Sequence, residues 1–128
     1  MNLGTIFSCV GIMWNGRVDI IPEANLRNKI ISSTVCFTPK KTLIGTAARN
    51  KMRQFPESAM FESKRLLGHK YSNPNVQEDI KRWPLKIIED PKTKKPKYVV
   101  KVVDKISEYF AEEASTMILK YLKEQAEI

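Results

Sequence analysis

The sequence is poor in the side chains that bind metals and exchange protons near neutral pH. It has one histidine, His69, and two cysteines, Cys9 and Cys36, in 128 residues. Two cysteines cannot build a disulfide framework or a zinc site. Each lies in an apolar, strand-like run, where a reduced and buried thiol is expected. His69 sits beside Lys70 in a polar turn, which reads as a surface position and leaves nucleophilic catalysis without a histidine base. Long apolar runs are absent as well: none approaches the ~18 residues of a membrane span. Met1 to Trp14 carries no charged side chain, so the basic start of a secretory signal is missing. No Gly-x-Gly-x-x-Gly or Walker-type loop occurs. These absences together read as an intracellular chain.

Acidic groups are also scarce, with 14 Asp and Glu against 22 Lys and Arg, giving a net charge of +8. That balance invites an anionic partner such as nucleic acid, an acidic membrane or a nucleotide. The charge is concentrated, however. Residues 81–105 hold nine basic groups and three acids, so this stretch alone supplies +6 of the +8. Its densest part, Asp90-Pro-Lys-Thr-Lys-Lys-Pro-Lys97, carries two prolines and a threonine between apolar runs, the chemistry of a hairpin loop. A nucleic-acid patch usually adds stacking aromatics or a groove-entering element, and this loop has neither. A solvated loop is the favoured reading, with a basic nucleic-acid-binding domain as the weaker one.

What is present is ordinary globular material, 42% apolar and 28% charged, and long enough for one modest core. Thr5 to Ile12 is apolar and β-prone, Asn15-Gly16 is a strong hairpin signal, and Arg17 to Ile21 returns before Pro22. This turn is expected to pair Cys9–Ile12 with Val18–Ile21. Ser33 to Thr38 reads as a third strand, Pro39-Lys40-Lys41 as a turn, and Leu43-Ile44 as a short extended piece. Ala47, Ala48, Lys51 and Met52 share a helical face, with Thr46 as the expected N-cap and Pro56 as the stop. Ala59 to Leu67 reads as a second helix closed by Gly68, and Asn73-Pro74 opens a third that ends at Trp83-Pro84. Leu85–Ile88 and Tyr98–Val103 read as strands joined by the lysine-rich loop, with Ser107–Phe110 as a third. The last helix is the clearest, because Ala114, Met117, Ile118, Tyr121, Leu122 and Gln125 recur at helical spacing. Neither Phe110 nor Ala111 can cap it by accepting a backbone hydrogen bond through its side chain. The carboxylate pairs Glu78-Asp79 and Glu112-Glu113 read as solvated helix faces.

One feature is more specific. Leu3-Gly4-Thr5 begins a β-hairpin, and a glycine with a hydroxyl at such a bend can aim backbone N–H groups at a phosphate. Leu3-Gly-Thr-Ile-Phe-Ser-Cys-Val10 followed by Asn15-Gly-Arg-Val-Asp-Ile-Ile-Pro22 resembles the start of the 70-kilodalton heat-shock chaperones. Phe37-Thr-Pro, Leu43-Ile-Gly-Thr-Ala-Ala-Arg-Asn50, Phe61-Glu-Ser-Lys-Arg-Leu-Leu-Gly68 and Val76-Gln-Glu-Asp-Ile-Lys-Arg-Trp-Pro84 extend the likeness, as does Glu112-Glu-Ala-Ser-Thr-Met-Ile-Leu-Lys120. The segments occur in family order over essentially the whole chain.

The resemblance implies a mixed α/β piece of an actin-like, ribonuclease-H-like ATPase fold, restricted to the first part of lobe I. It divides the chain into an N-terminal β-strand region with the phosphate loop, 1–44, and a small α/β subdomain, 45–128. It further implies ATP or ADP with magnesium as the full-length ligands, contacted here by Gly4, Thr5 and the backbone of Ile6. Asn2 stands where the family has the aspartate that helps hold hydrated magnesium, and Arg49 where the family has a catalytic lysine. Asn2 keeps an oxygen but loses the charge a hard cation prefers. Arg49 keeps the charge but spreads it over a wide planar fork. Thr46 stands at an acidic family position, and Arg27-Asn-Lys-Ile-Ile-Ser-Ser33 is a divergent stretch.

The implied function is a fragment of an ATP-dependent chaperone that forms one wall of the nucleotide cleft and is inactive alone. The alternative is a noncatalytic chaperone-like interaction module. Expected partners are nucleotide, the rest of the chaperone chain and co-chaperones. No membrane is expected, and unpaired strand edges leave room for self-association. The parent's expected compartment is the cytoplasm, with the endoplasmic reticulum or an organelle as the alternative.

Overall fold

Short antiparallel pairings open the chain in the computed structural model, which describes residues 2–4, 7–9, 11–14, 16–20 and 31–126. Strand β1 (Asn2–Leu3) pairs with β2 (Phe7–Cys9), Leu3 facing Ser8 and Asn2 facing Cys9. Strand β3 (Gly11–Trp14) returns as β4 (Arg17–Ile20), from Trp14 opposite Arg17 to Gly11 opposite Ile20. Gly16 at φ 76° supplies the left-handed residue that a two-residue hairpin turn requires. The expected hairpin therefore forms, with one correction: Cys9 faces Asn2 and not the returning strand. β2 and β3 belong to different sheets, and the β3-β4 ladder ends with Gly11 opposite Ile20. Cys9 is accordingly only half-buried, whereas Cys36 is fully buried, and burial raises its thiol pKa. Val10, Asn15, Ile21, Pro22 and the Arg27–Ile30 stretch lie outside the described residues.

Strand β5 (Ile31–Ser32) adds to β2, and β6 (Thr34–Phe37) then starts another sheet, within the strand expected over Ser33–Thr38. Thr38 closes the following turn by donating its backbone N–H to the Lys41 carbonyl at 2.9 Å, and β7 (Thr42–Ile44) returns beside β6. Helix α1 (Thr46–Lys51) follows. Its N-cap is Gly45 and not Thr46. The strand-to-helix link is so tight that the cap needs φ 84°, ψ −143°, backbone that only glycine adopts readily. The helix also ends before Pro56, which instead begins a 3-10 turn, Pro56–Ser58.

The segment read as a second helix is instead strand β8 (Ala59–Phe61) followed by a 3-10 turn, Ser63–Arg65. Tertiary pairing overrides local propensity here. The far edge of β6 needs a partner, and Ala59 and Met60, both buried, sit opposite Cys36 and Val35. Gly68 does take the left-handed conformation expected of it, at φ 74°. Helix α2 (Pro74–Arg82) starts as expected: the Asn73 side chain accepts from the Asn75 and Val76 N–H groups.

Strands β9 (Lys86–Glu89), β10 (Pro96–Val102) and β11 (Lys105–Phe110) form a meander, and helix α3 (Ala111–Ala126) closes the chain. Without a capping side chain before it, α3 satisfies the Phe110 N–H through Glu113 reaching back at 2.9 Å, half of a capping box. All described pairings are antiparallel, in the sheets β1-β2-β5, β3-β4, β7-β6-β8 and β11-β10-β9, so the expected mixed α/β architecture is what the chain adopts. Ile31 and Val35 share one core with Tyr98, Val100, Ile118 and Leu122. A smaller cluster of Cys36, Ala48 and Ala59 lets α1 lie close on its sheet. The boundary expected at residues 44 and 45 thus falls where β7 leads directly into the helix that packs on β6 and β7.

Candidate functional site

Strand register positions the expected phosphate loop. Leu3 faces Ser8, and Phe7 faces Ser32, so Gly4, next to Leu3, lies at the end of the β1-β2-β5 sheet where Ser32 lies. Two inter-strand spacings separate them, roughly 10 Å. Ser32, Ser33 and Thr34 then line a cavity of about 170 Å³ together with Arg49, Phe61 and Glu62. Of the expected site residues, Arg49 shares this cavity with the hydroxyl-bearing segment, and Gly4 lies at the same end of the β1-β2-β5 sheet. Thr5 and Ile6 lie outside the described residues, and for Asn2 only its backbone place on β1 is described.

The hydroxyls form two short pairs. Ser8 Oγ and Ser33 Oγ are 2.6 Å apart, and Ser32 Oγ and Thr34 Oγ1 are 2.7 Å apart. All four residues are buried, so these bonds satisfy groups that would otherwise be costly to desolvate. The first pair also ties β2 to the point where the chain passes from one sheet to the next. Gly45 holds the opposite side: its N–H donates to the Thr34 carbonyl at 3.0 Å, and its own carbonyl accepts from the Arg49 N–H at 3.1 Å. Arg49 is exposed on α1, one turn from that glycine, and Thr46 is half-buried at the first helical position.

The described donor set does not fit a magnesium ion. Among the described residues the side-chain oxygens at this end of the sheet are neutral hydroxyls, and Glu62, which lines the cavity, is ion-paired with Arg65 at 3.5 Å. No cluster of three His, Cys, Asp or Glu converges among the described residues. A hard divalent cation prefers charged oxygens, which Asn2 does not supply.

The other candidates resolve into structural roles. His69 is exposed. Glu78 pairs with Lys81 at 3.3 Å, and Glu112 with Lys95 at 3.7 Å. Asp79, read as solvated, is buried and ion-paired with Arg82, because it lies on the flank of α2 that turns inward with Val76. The lysine loop is a hairpin, and it is tied down. Asp90 accepts from both the backbone N–H and the hydroxyl of Thr93, at 2.9 and 2.8 Å, and pairs with Lys97 at 3.3 Å. The Thr93 N–H bond is the main reason its carboxyl is lowered to about 2. Lys70 Nζ donates to the Thr93 carbonyl, and the Tyr71 N–H to that of Lys94.

Sequence reasoning missed the buried hydroxyls of Ser8, Ser32, Ser33 and Thr34, and the approach of Glu62. The run Ser32-Ser-Thr34 was the available signal, since three small hydroxyls in succession are unusual in a buried strand.

A sequence model of the family described as Hsp70 protein matches residues 1–128. A curated relative, heat shock cognate 70 kDa protein 3 of Dictyostelium discoideum, is 39% identical over 127 residues, which cover 99% of this chain and 20% of that protein. The chain thus spans about a fifth of the length of the curated relative it matches. Its mixed α/β architecture agrees with part of a nucleotide-binding domain of actin-like fold. On a match that runs the length of the sequence, the chain belongs to the Hsp70 family.

Proposed function

We propose that this chain contributes one wall of the nucleotide-binding cleft of an ATP-dependent chaperone. In this reading Gly4, Thr5 and the backbone of Ile6 contact phosphate, and Arg49 supplies positive charge from the facing helix. The observation that carries the reading is the register that sets Gly4 at the end of the sheet where Ser32–Thr34 share a cavity with Arg49. A guanidinium there neutralises a phosphate but is a poor replacement for a compact ammonium at a tight phosphoryl site. One wall offers half of the contacts that bury a nucleotide, so affinity is expected to be millimolar at best, about −4 kcal/mol, with no hydrolysis.

Calorimetry with ATP tests the affinity, and micromolar binding would overturn the single-wall reading. Amide chemical shifts titrated with millimolar ADP test the location. Shifts centred on Gly4, Ser33 and Arg49 are expected, and shifts confined to the lysine loop would overturn it. Co-chaperones and the remaining chaperone chain are the proposed partners, with self-association through unpaired strand edges. No described helix is long and apolar enough to cross a membrane. The cytoplasm is the proposed compartment of the parent protein, the endoplasmic reticulum or an organelle being the alternative.

A further inference from the structure

We propose that the outer face of the β9–β11 meander, with its hairpin tip and the adjoining cavities, docks a protein segment bearing apolar side chains flanked by aspartate or glutamate. Alternation along β10 sends Pro96, Tyr98 and Val100 inward, leaving Lys97, Val99 and Lys101 on the outer face. Register adds Lys86 opposite Val99 and Ile106 opposite Lys101. Ile106 is 63% exposed, and Val103 at the hairpin tip is 67% exposed.

Val103 is doubly unfavourable for the fold. It is a β-branched residue at φ 55°, a conformation that suits glycine or asparagine, and its apolar surface faces water. Among the described residues Val103 belongs to neither hydrophobic cluster, so core packing offsets neither feature. A surface that binds elsewhere would gain from both, because the left-handed turn holds an apolar side chain outward.

The tip continues into concave surface. A cavity of about 430 Å³ lies between Pro39, Phe55 and Val102–Val103, and a second of about 190 Å³ between Pro84, Val99 and Ile106. Both are bordered by Glu57 and Lys101, so they form one track. A third cavity, of about 360 Å³ around Leu43 and Phe55, shares Pro39 and Phe55 with the first.

Charge selects the occupant. Lys40, Lys41, Lys51, Lys86 and Lys101 line these cavities and are all exposed, against Glu57 in the track and Glu108, which lies opposite Val99. Among the described residues none of these five forms an ion pair, and Glu108 is taken up by Lys97 on the same face. Apolar hollows within a basic rim complement a segment of opposite charge and apolar anchors. A second copy docked face to face would bring the two sets of lysines together. A nucleic acid would leave the hollows unfilled, as Phe55 is half-buried and offers no free stacking face.

The test is fluorescence anisotropy of the 128-residue chain with a labelled peptide of alternating Glu/Asp and Leu/Phe. Comparison probes replace its acids by lysine, replace its apolar residues by serine, or are single-stranded DNA. Saturable binding is expected for the acidic apolar peptide, about tenfold weaker on replacing either feature, and weaker with added salt. Val103→Gly with Ile106→Ser is expected to weaken it about tenfold. Glycine accepts φ 55° freely, so thermal melting of that variant is expected to be no lower than the parent's. Lys86→Glu with Lys101→Glu is expected to abolish preference for the acidic peptide. Absence of binding overturns the proposal. So does DNA binding of equal strength that is indifferent to Val103→Gly/Ile106→Ser. A dimer seen by sedimentation that dissociates in that variant, with no peptide bound, would assign the face to a second copy instead.

Discussion

The β7-β6-β8 and β11-β10-β9 sheets have the same size and sense, and they are built in opposite ways. The meander is local: each strand follows its neighbour, and long side chains such as Tyr98 and Val100 fill its inner face. The other sheet places β6 centrally and recruits β8 after a helix and a 3-10 turn, with small residues where α1 crosses it. One sheet closes through adjacent hairpins, and the other only when distant segments meet. Packing then couples them. Helix α3 lies against strands of both, and the Tyr98 hydroxyl on β10 donates to the Phe61 carbonyl on β8 at 2.9 Å. Burial, reinforced by the negative charge of Glu62, holds that phenol far above its ordinary pKa, so it stays a donor at all ordinary pH.

The strongest way to break the comparison is to remove what the sheets share. Ile118 is 1% exposed on α3, in the core that joins Val35 to Val100. Ile118→Ala is expected to cost about 2–5 kcal/mol, from lost burial and the cavity left behind. Urea unfolding followed by amide exchange should show both sheets losing protection in one transition. Separate transitions for β6 and β10 would mean two cores in place of one.

A second substitution should act mainly on one sheet. Gly45→Ala keeps the Thr34 bond chemically available but forces a Cβ into φ 84°, at an expected cost of about 1–3 kcal/mol. Local opening should rise in α1 and β6, so their amides should lose more protection than the meander's, which lose only the shared global part. Because Arg49 hangs from that first turn, any phosphate-induced shift at Arg49 should weaken with it.

The same contrast governs how much could be read from the residues. Asn73-Pro74, the α3 periodicity and the meander's turns report local rules, and the structure follows them. Ala59–Phe61 failed because three residues are too few to show alternation, and its extended form comes from a partner more than twenty residues away. Asp79 failed for a related reason: its burial is set by what packs against α2, which charge patterning does not encode. At the candidate site, the proposed roles of Gly4 and Arg49 rest on family resemblance. The paired hydroxyls were not legible, since Ser8 meets Ser33 only after β2 and β5 are in register.

The smallest expected effect confines itself to the meander and is read through pH. Asp90 pairs with Lys97 and caps the Thr93 turn, and its carboxyl is lowered to about 2 in the fold. An unfolded aspartate titrates near 3.9. A group whose folded pKa is the lower one binds fewer protons when folded, so it favours the fold once ionised. Its contribution is therefore complete above about pH 4 and is lost as pH falls from about 4 through about 2. Lys97 mirrors it, its pKa raised chiefly by the hydrogen bond to Asp90, so its share is present below the unfolded lysine value and lost at more alkaline pH. Asp90→Asn should flatten the acid slope in that window and the alkaline slope together, since one pair underlies both. Melting temperatures measured across the two ranges check this, and an unchanged acid slope in Asp90→Asn would assign that slope to other carboxylates. The loop's backbone bonds from Lys94 N–H to the Asp90 carbonyl and from Asp90 N–H to that of Lys95 survive the substitution. The hairpin should therefore persist while its lysines gain freedom, leaving the β7-β6-β8 sheet untouched.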